Sequence, residues 1–465
     1  MLYINIKKEK KRSYTKQIYK EIREKILKGE LQEGAALPST RELSVELAVS
    51  RNTVLNAYDM LVSEGFVHSI PGSGFYVKQG LQAAWQAAKV SQDQTASLSD
   101  DRIFQNMISF DSGIPALDLF PRNKWNTFTS RAFRDAPVSA LGYDEPQGRP
   151  ELRSVLAAYL KKVRGIECDP DQIIITAGAK QGLTLIAKSL LDCRSEVLLE
   201  DPSNRNVKQI FSYHTRHITP VPVDQEGIIT DQLPKNMRPS LLFVTPSHQF
   251  PLGGILTIRR RLDLVKYARE SGCYLVEDDY DSEFRYDGAP VNSLYELDPD
   301  RVIYIGTFSK ILFPSLRLGY IVLPPQLIMQ FREWKRLGDH HTNSISQLAL
   351  MRFIESGDLE RHIRHMKKVY RNRRNLLLEL LDQYFPNQYR VLGDSAGMHM
   401  ILDLRGIEFS PDLVQRITDS GVYVVPVEEH SVMKGLHLNQ IIMGYAHLTR
   451  QDMELGLQRI KSAIK

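Results

Sequence analysis

Isoleucines recur at every fourth residue near the start of the chain. Ile18, Ile22 and Ile26 share one face of a helical wheel, so their spacing predicts an amphipathic helix within residues 14–31. Gly29 interrupts the pattern and is expected to end this helix. The first predicted element is therefore a helix with one apolar, buried face.

Two more helices and a hairpin are predicted before residue 78. The segment Ser39-Thr40-Arg41-Glu42 is a capping box. In this motif the serine hydroxyl accepts from the glutamate backbone N–H, and the glutamate carboxylate accepts from the serine backbone N–H. Ser50 is the candidate N-cap of the next helix. The apolar runs 66–70 and 75–77 flank Pro71-Gly72-Ser73-Gly74, which is typical of a β-hairpin with a glycine-rich tip.

A different pattern begins at residue 108, where helical segments alternate with short apolar runs. This alternation predicts a mainly parallel sheet covered by helices on both faces. Residues 350–465 add a long charged helix around 355–384 and a smaller α+β unit. The apolar runs are 173–176, 196–199, 241–244, 274–276, 302–305 and 320–323.

Residues 79–107 separate the two patterns and are rich in Gln, Ala, Ser and Asp. Because such a segment buries too little apolar surface to fold alone, we interpret it as a flexible linker. The predicted domains are therefore residues 1–78 and residues 108–465. A length of 465 residues is consistent with more than one domain.

The positive charge of the chain lies almost entirely in its N-terminal domain. Residues 1–80 contain 13 Lys/Arg and 9 Asp/Glu, a surplus of four out of the chain's net +5. A basic surplus there is expected if this domain contacts phosphates. A charged, solvated surface is the alternative interpretation.

The three cysteines, Cys168, Cys193 and Cys273, are scattered and have no metal-ligand spacing, which fits a reducing compartment. No apolar run reaches the roughly 20 residues of a membrane span, and the basic N-terminus lacks the apolar core of a signal peptide. We therefore expect a cytoplasmic protein with no membrane partner.

Residues 14–78 resemble the GntR family of bacterial regulators. The resemblance implies a winged helix-turn-helix of class α+β that binds a double-stranded DNA operator, with the third helix in the major groove. The wing would contact the DNA backbone or minor groove. The segments that carry it are Leu37-Pro38-Ser39-Thr40-Arg41-Glu42-Leu43, Val49-Ser50-Arg51-Asn52-Thr53-Val54 and Gly72-Ser73-Gly74-Phe75-Tyr76-Val77.

The DNA contacts predicted from this resemblance lie on two helices and the wing. For the helix residues, capping or a solvated position is the alternative, and Ser50 is expected to cap as well. The candidates are Arg41, Ser50, Arg51, Thr53, Gly72 and Gly74.

Four segments of residues 108–465 resemble fold-type I aminotransferases, α/β proteins that hold pyridoxal phosphate as a Schiff base. The resemblance implies that Lys310 is the catalytic, Schiff-base lysine, and that a small α+β subdomain completes the C-terminus. It also implies a two-fold homodimer with shared sites. The segments are Leu141-Gly142-Tyr143-Asp144-Glu145-Pro146-Gln147-Gly148, Thr176-Ala177-Gly178-Ala179-Lys180-Gln181, Glu277-Asp278-Asp279-Tyr280-Asp281 and the loop 306–319.

The resemblance also assigns the cofactor's other contacts. Asp278 would face the pyridine nitrogen and Tyr280 the ring hydroxyl. A helix N-terminus and an arginine fork are suited to the phosphate. The remaining cofactor-binding candidates are Thr307, Ser309, Arg317, Ala179, Lys180 and, from the neighbouring subunit, Tyr143.

Residues 277–283 contain five carboxylates, so an acidic metal site is the alternative for this segment. No histidine or further acidic ligand cluster accompanies the segment in the sequence, and we therefore predict no metal.

Three positions depart from the aminotransferase pattern. Phe250 stands where active enzymes usually have an asparagine that bonds the ring hydroxyl, and Asn204 where the family usually has a stacking aromatic residue. His447 stands where an arginine typically clamps the substrate carboxylate, a role that a mostly neutral imidazole fills poorly. His447, Asn204 and Arg205 are the candidate effector contacts.

The whole chain resembles the MocR subfamily of GntR regulators, which implies a transcription regulator that depends on pyridoxal phosphate and senses a small molecule with little or no turnover. The candidate effectors are pyridoxal phosphate itself, an amino acid, a non-carboxylate amine or a dipeptide. A working aminotransferase with a DNA-binding head is the rival function. A winged helix fused to a purely structural, cofactor-free dimerisation domain is the third interpretation.

Overall fold

The computed structural model describes residues 4, 13–81, 107–288 and 291–465. The chain divides into two compact units, Met1–Asp101 and Arg102–Lys465. Most of the predicted linker, 79–107, lies outside the described residues. Within the described residues, no helix has both the length and the apolar character that crossing a bilayer requires.

The N-terminal unit is a winged helix-turn-helix, as predicted. Its β-strands pair antiparallel, with Val67 opposite Val77 and Ile70 opposite Gly74. The elements are α1 (Tyr14–Lys28), α2 (Thr40–Glu46), α3 (Arg51–Ser63), β1 (Val67–Ile70) and β2 (Gly74–Val77).

Local sequence signals set these boundaries. Glu42 N donates to Ser39 Oγ at 3.2 Å and Ser39 N donates to Glu42 Oε2 at 2.9 Å, which confirms the capping box. Ser50 Oγ accepts from Thr53 N at 3.1 Å, so α3 also begins with a side-chain cap. The predicted isoleucine face of α1 is fully buried against α2, α3 and the hairpin.

The C-terminal unit is built on an eight-stranded sheet with the order β4-β11-β10-β9-β8-β5-β6-β7. The five central strands, from β10 to β6, run parallel, whereas β11 and β7 are antiparallel to their neighbours. The strands are β4 (Ile173–Thr176), β5 (Glu196–Asp201), β6 (His217–Asp224), β7 (Gly227–Ile228), β8 (Leu241–Val244), β9 (Tyr274–Asp279), β10 (Val302–Thr307) and β11 (Gly319–Val322).

Alternate residues of each strand enter opposite cores. Ile173 and Ile175 belong to one apolar cluster and Ile174 to another, which confirms that both faces are covered. The helices that cover the sheet and flank it are α4 (Arg122–Asp135), α5 (Pro150–Arg164), α6 (Ala179–Leu190), α7 (Arg205–Ser212), α8 (Ile258–Ser271), α9 (Ile328–Asp339) and α10 (Ser344–Glu355).

A smaller α+β subdomain completes the unit, as predicted. The long charged helix runs from Asp358 to Tyr384, and a four-stranded antiparallel sheet has the order β12-β13-β16-β15. The short β3 at the start of the unit pairs parallel with β14, so both ends of the unit meet in this subdomain. Its elements are β3 (Ile108–Ser109), α11 (Asp358–Tyr384), β12 (Tyr389–Leu392), β13 (His399–Leu404), α12 (Pro411–Asp419), β14 (Val422–Tyr423), β15 (Val425–Pro426), β16 (Gln440–Gly444) and α13 (Arg450–Ile464).

Candidate functional site

Five of the six predicted DNA contacts of the N-terminal unit are exposed and Thr53 is half-buried, but half of the six have intramolecular side-chain partners. Ser50 Oγ lies 2.8 Å from Thr53 Oγ1 in addition to capping α3. Arg51 Nε donates to Thr40 Oγ1 at 3.2 Å, which ties α3 to α2. Arg41 is exposed on α2, and Gly72 and Gly74 have φ of 77° and 125° in the hairpin tip.

The C-terminal unit has a cavity of about 520 Å³ where the carboxyl ends of the central strands meet the small subdomain. Ligands of open α/β sheets bind at this edge. Ten of the twelve cofactor and effector candidates line it: Lys310, Asp278, Tyr280, Arg317, Thr307, Ser309, Ala179, Lys180, Asn204 and Arg205.

Lys310 lies half-buried in the cavity wall, and its Nζ donates to the Gly113 carbonyl at 2.7 Å. Loss of hydration lowers the pKa of Lys310, while the carboxylates of Asp111, Asp281 and Asp278 oppose that change. A lowered pKa increases the fraction of free amine, the form that attacks a carbonyl carbon.

Asp278 ends β9 and has an oxygen without a partner. Its Oδ1 is inaccessible to solvent and accepts no hydrogen bond. Burial, reinforced by the negative charge of Asp279, raises the pKa of Asp278 to about 7. An unsatisfied buried acceptor is costly, and a cationic N–H donor in the cavity would satisfy it.

The opposite end of the cavity is shaped for an anion. Arg317 adopts φ of 51°, in the left-handed region, and its Nη2 donates to the Ala177 carbonyl. Gly178 has φ of 91°, and a Cβ there would lie 3.1 Å from Arg317 Nη1. The arginine therefore lies against the N-terminus of α6, where Ala179 and Lys180 contribute unpaired backbone N–H groups.

Behind Tyr280 lies a buried histidine that the sequence pattern did not reveal. Tyr280 Oη donates to the His248 carbonyl at 3.0 Å, and His248 Nδ1 lies 3.1 Å from Asp281 Oδ2. His248 Nε2 lies 3.2 Å from the Gly393 carbonyl. Although burial lowers the pKa of His248, the Asp281 carboxylate raises it overall.

This contact corrects one sequence expectation. Histidines do accompany the acidic segment, since ligand atoms of His248, Asp281 and His399 lie within 4.8 Å of one another. They come from segments 33 and 118 residues away from Asp281, beyond the reach of any local spacing pattern. His399 Nε2 already bonds the Pro251 carbonyl at 3.0 Å.

The effector candidates differ in placement. Asn204 caps α7, with its Oδ1 accepting from Asn206 N at 3.0 Å, and Arg205 Nη1 is paired with Glu429 Oε2 at 3.0 Å. His447 does not line the cavity, because its Nε2 donates to the Ser109 carbonyl at 2.9 Å. Burial lowers the pKa of His447, so its ring is neutral at pH 7.

Tyr143 also lies outside the cavity lining. Its side chain is 86% exposed, and its ring centroid lies 5.0 Å from that of His340. Its contact with a neighbouring subunit stays a prediction.

Two family models match the chain: "Bacterial regulatory proteins, gntR family" over residues 14–77 and "Aminotransferase class I and II" over residues 105–460. The probable rhizopine catabolism regulatory protein MocR of Rhizobium meliloti is 33% identical, over 96% of this chain and 93% of its own. The chain belongs to the MocR-type GntR family of transcriptional regulators.

The chain is also similar to a second regulator and to an aminotransferase of known structure. The pyridoxine biosynthesis transcriptional regulator PdxR of Corynebacterium glutamicum is 32% identical over 83% of this chain and 82% of its own. The solved structure of LysN, the α-aminoadipate aminotransferase of Thermus thermophilus complexed with N-(5'-phosphopyridoxyl)-L-leucine, superposes with a TM-score of 0.71 at 30% identity. That match covers 82% of this chain and 98% of LysN.

The remaining cavity walls of this MocR-type regulator come from segments that carry no motif. Phe250 packs its ring edge against Tyr280, and His430, whose pKa burial lowers to about 4, lies edge-on to Phe250. Asp111 and Ile442 reach the same cavity from the two ends of the unit. Tertiary contacts place these ends together: β3 pairs with β14, and Gly444 N donates to the Phe110 carbonyl.

Proposed function

We propose that this regulator binds pyridoxal phosphate in the cavity and that the state of the cavity changes the affinity of the winged helix for its operator. The observation that carries the proposal is the pairing, in one cavity, of a desolvated lysine with a buried carboxylate whose Oδ1 has no partner. Pyridoxal phosphate offers an aldehyde to the first and a cationic ring nitrogen to the second.

The residues present fit this cofactor at its aldehyde, its ring nitrogen and its phosphate. Lys310 would anchor the aldehyde carbon and Asp278 would accept from the ring nitrogen. Tyr280 would donate to the ring oxygen once its hydroxyl turns away from the His248 carbonyl. The phosphate would lie between the guanidinium of Arg317, the N-terminus of α6 at Ala179 and Lys180, and the hydroxyls of Thr307 and Ser309. When bound, the cofactor supplies reversible covalent capture of primary amines.

The effector side of the cavity supports sensing rather than amino-acid turnover. Ile442 and Val425 are apolar there, His430 is neutral at pH 7, and Arg205 is already paired with Glu429. Among the described lining residues, the other guanidinium, that of Arg317, lies at the anion-binding end. An amino-acid carboxylate therefore meets no unpaired guanidinium, which favours pyridoxal phosphate itself or a non-carboxylate amine as the effector.

The relative PdxR, named for regulation of pyridoxine biosynthesis, supports the first of these effectors. A coupling of about 1–3 kcal/mol between cavity and operator changes operator affinity about 5- to 150-fold. That range is enough to switch promoter occupancy.

We propose the domain division 1–78, 79–107 and 108–465, with a homodimer formed through the C-terminal unit. The exposed apolar residues around Tyr143 support the dimer, since large exposed apolar groups cluster at interfaces. They are Phe133, Val138 and Leu141, exposed by 64%, 86% and 61%.

The test uses the full-length chain and its Lys310→Ala variant. We expect a visible absorption band on addition of pyridoxal phosphate to the parent, its loss in the variant, and a cofactor-dependent change in operator affinity only in the parent. Absence of the band in the parent would overturn cofactor binding. Operator binding that ignores both cofactor and variant would indicate a purely structural C-terminal unit.

The aminotransferase superposition keeps a working enzyme as the second candidate. A panel of amino acids, followed by absorbance in single-turnover mixtures and then with a keto-acid acceptor, separates the two. Sustained turnover at ordinary enzyme rates would favour the enzyme, whereas a single slow conversion or none supports the sensor.

A further inference from the structure

The exposed face of α3 presents a group of side chains that the predicted DNA contacts do not include. Asn52, Leu55 and Asn56 are exposed at positions i, i+3 and i+4, so they share one face of the helix. Leu55 is 38% exposed, large for an apolar residue of a three-turn helix. Neither asparagine side chain bonds another residue in the described part of the chain.

Their neighbours on α3 are engaged within the unit. Ser50 and Thr53 bond each other, and Arg51 bonds Thr40 on α2. The burial pattern places Val54, Ala57 and Tyr58 against the core. In the N-terminal half of α3, Asn52 and Asn56 are therefore polar side chains that bond no other described residue, and the Nη groups of Arg51 also stay available.

This half of a recognition helix is the part that meets base edges in the major groove. A carboxamide matches adenine, donating to N7 and accepting from the N6 amino group, whereas an aliphatic side chain matches the thymine methyl group. We infer that Asn52 and Asn56 read adenines in the operator half-site and that Leu55, between them, contacts a thymine methyl. The inference rests on the proposed operator binding and adds its base preference.

The spacing of the two amides sets the spacing of the bases. Four residues of helix advance by about 6 Å, and successive base pairs lie about 3.4 Å apart. When the helix axis follows the groove, the two adenines are about two base pairs apart. A half-site with A·T pairs at that separation is the expected signature.

The test begins with selection of duplexes from a randomised pool by the full-length chain loaded with pyridoxal phosphate. The selected half-sites should share two adenines at the expected spacing. Replacing either adenine by 7-deazaadenine removes the N7 acceptor alone and should weaken binding about 5- to 150-fold, the equivalent of about 1–3 kcal/mol. Replacing the thymine by uracil should weaken binding of the parent but not of Leu55→Ala.

Asn52→Ala and Asn56→Ala should each lose the preference for one adenine and become insensitive to its 7-deaza form. Arg41→Ala is the contrasting variant, because a lost phosphate contact weakens binding to all sequences alike and reduces the slope of log affinity against log salt by about 1. Ser63→Ala, an uncharged exposed position at the C-terminal end of α3, is the neutral control.

Selected sites without adenine at these positions, or full affinity for the 7-deaza duplexes, would overturn the inference while operator binding stands. The inference would also be overturned if the asparagine variants bound all duplex sequences more weakly by the same factor, since that pattern indicates phosphate contacts. Failure of the pool to yield any preferred duplex would instead count against the proposed regulator function itself.

Discussion

Glu200 offers a quantitative test of how the cavity floor is held. It ends β5 at 1% exposure, and its Oε2 accepts from Thr245 Oγ1 at 2.6 Å and Thr245 N at 3.1 Å. Gln249 Nε2 lies 3.4 Å from the same oxygen. Burial, outweighing these donors, raises the pKa of Glu200 from 4.5 to about 7.

The sign of the linked stability follows from that direction. Above pH 4.5 Glu200 ionises in the unfolded chain, whereas in the folded chain it keeps its proton up to about pH 7. The contribution of Glu200 to the free energy of unfolding is therefore complete below pH 4.5 and is lost as the pH rises through 7. At 1.36 kcal/mol per pKa unit, the loss is about 3 kcal/mol. Glu200→Gln keeps an acceptor for Thr245 but cannot ionise.

We therefore expect the difference in the free energy of unfolding, Glu200→Gln minus parent, to increase by about 3 kcal/mol as the pH rises from 4.5 to 8. The assay is urea denaturation of the cofactor-free full-length chain, followed by circular dichroism and tryptophan fluorescence at several pH values. Comparing the two proteins at each pH cancels the titration of groups that do not interact with Glu200, and making the comparison again in an Asp278→Asn background removes the titration of Asp278, whose pKa the Glu200 charge raises. Glu226→Gln, whose carboxylate is 62% exposed, is the matched control and should follow the parent. Parallel curves for parent and Glu200→Gln would refute the argument.

Three other changes probe the anchor, the buried charges and the DNA-binding unit. Asp278→Asn should weaken pyridoxal phosphate binding and make its affinity less dependent on pH. In the parent, the Asp278 carboxyl has a pKa of about 7 and ionises as the pH rises, which strengthens its hydrogen bond with the cationic ring nitrogen. Titration of the visible band with cofactor at several pH values measures this difference. Arg164→Ala breaks a buried ion pair with Asp279, 2.8 Å apart, and should lower the free energy of unfolding in urea by about 3–5 kcal/mol. Arg134→Ala, which removes an exposed arginine, should lower it by less than about 1 kcal/mol. Equal losses for the two variants would contradict this argument. Ser39→Ala should lower the stability of the N-terminal unit by about 1 kcal/mol in thermal denaturation, with Ser39→Asp retaining the cap and most of the stability.

Most of the fold could be predicted because its signals are local. The isoleucine spacing of α1, the capping box of α2 and the glycine-rich hairpin tip each lie within a few residues, and each was found where predicted. The runs 173–176 and 241–244 coincide with β4 and β8. The long charged helix begins at Asp358 rather than 355, because Gly357, with φ of 71°, separates it from α10.

The cavity could be predicted only where its residues follow strands. Asp278 lies in the last two residues of β9 and Lys310 comes three residues after β10 ends, and parallel strands bring such positions to one edge of the sheet. His248 follows β8 but carries no recognisable motif, whereas Asp111 follows β3 and Ile442 lies in β16, both outside that sheet. Their places depend on how the small subdomain packs, for which a single sequence has no periodic signal.

The two ends of the cavity differ in how their polar groups are satisfied. At the anchor end Asp278 Oδ1 has no partner, and backbone N–H groups of α6 face the cavity beside Arg317. At the effector end the polar groups have partners already: Arg205 with Glu429, Asn204 with Asn206.

Binding energy comes from groups that a ligand satisfies, since a group already paired must first give up its partner. The cavity can therefore gain much from a phosphate and a pyridinium and little from an amino-acid carboxylate. That asymmetry is what a sensor of the cofactor, or of an amine captured by it, requires. An enzyme that turns over amino acids needs the opposite, a free cation reserved for the substrate at the effector end.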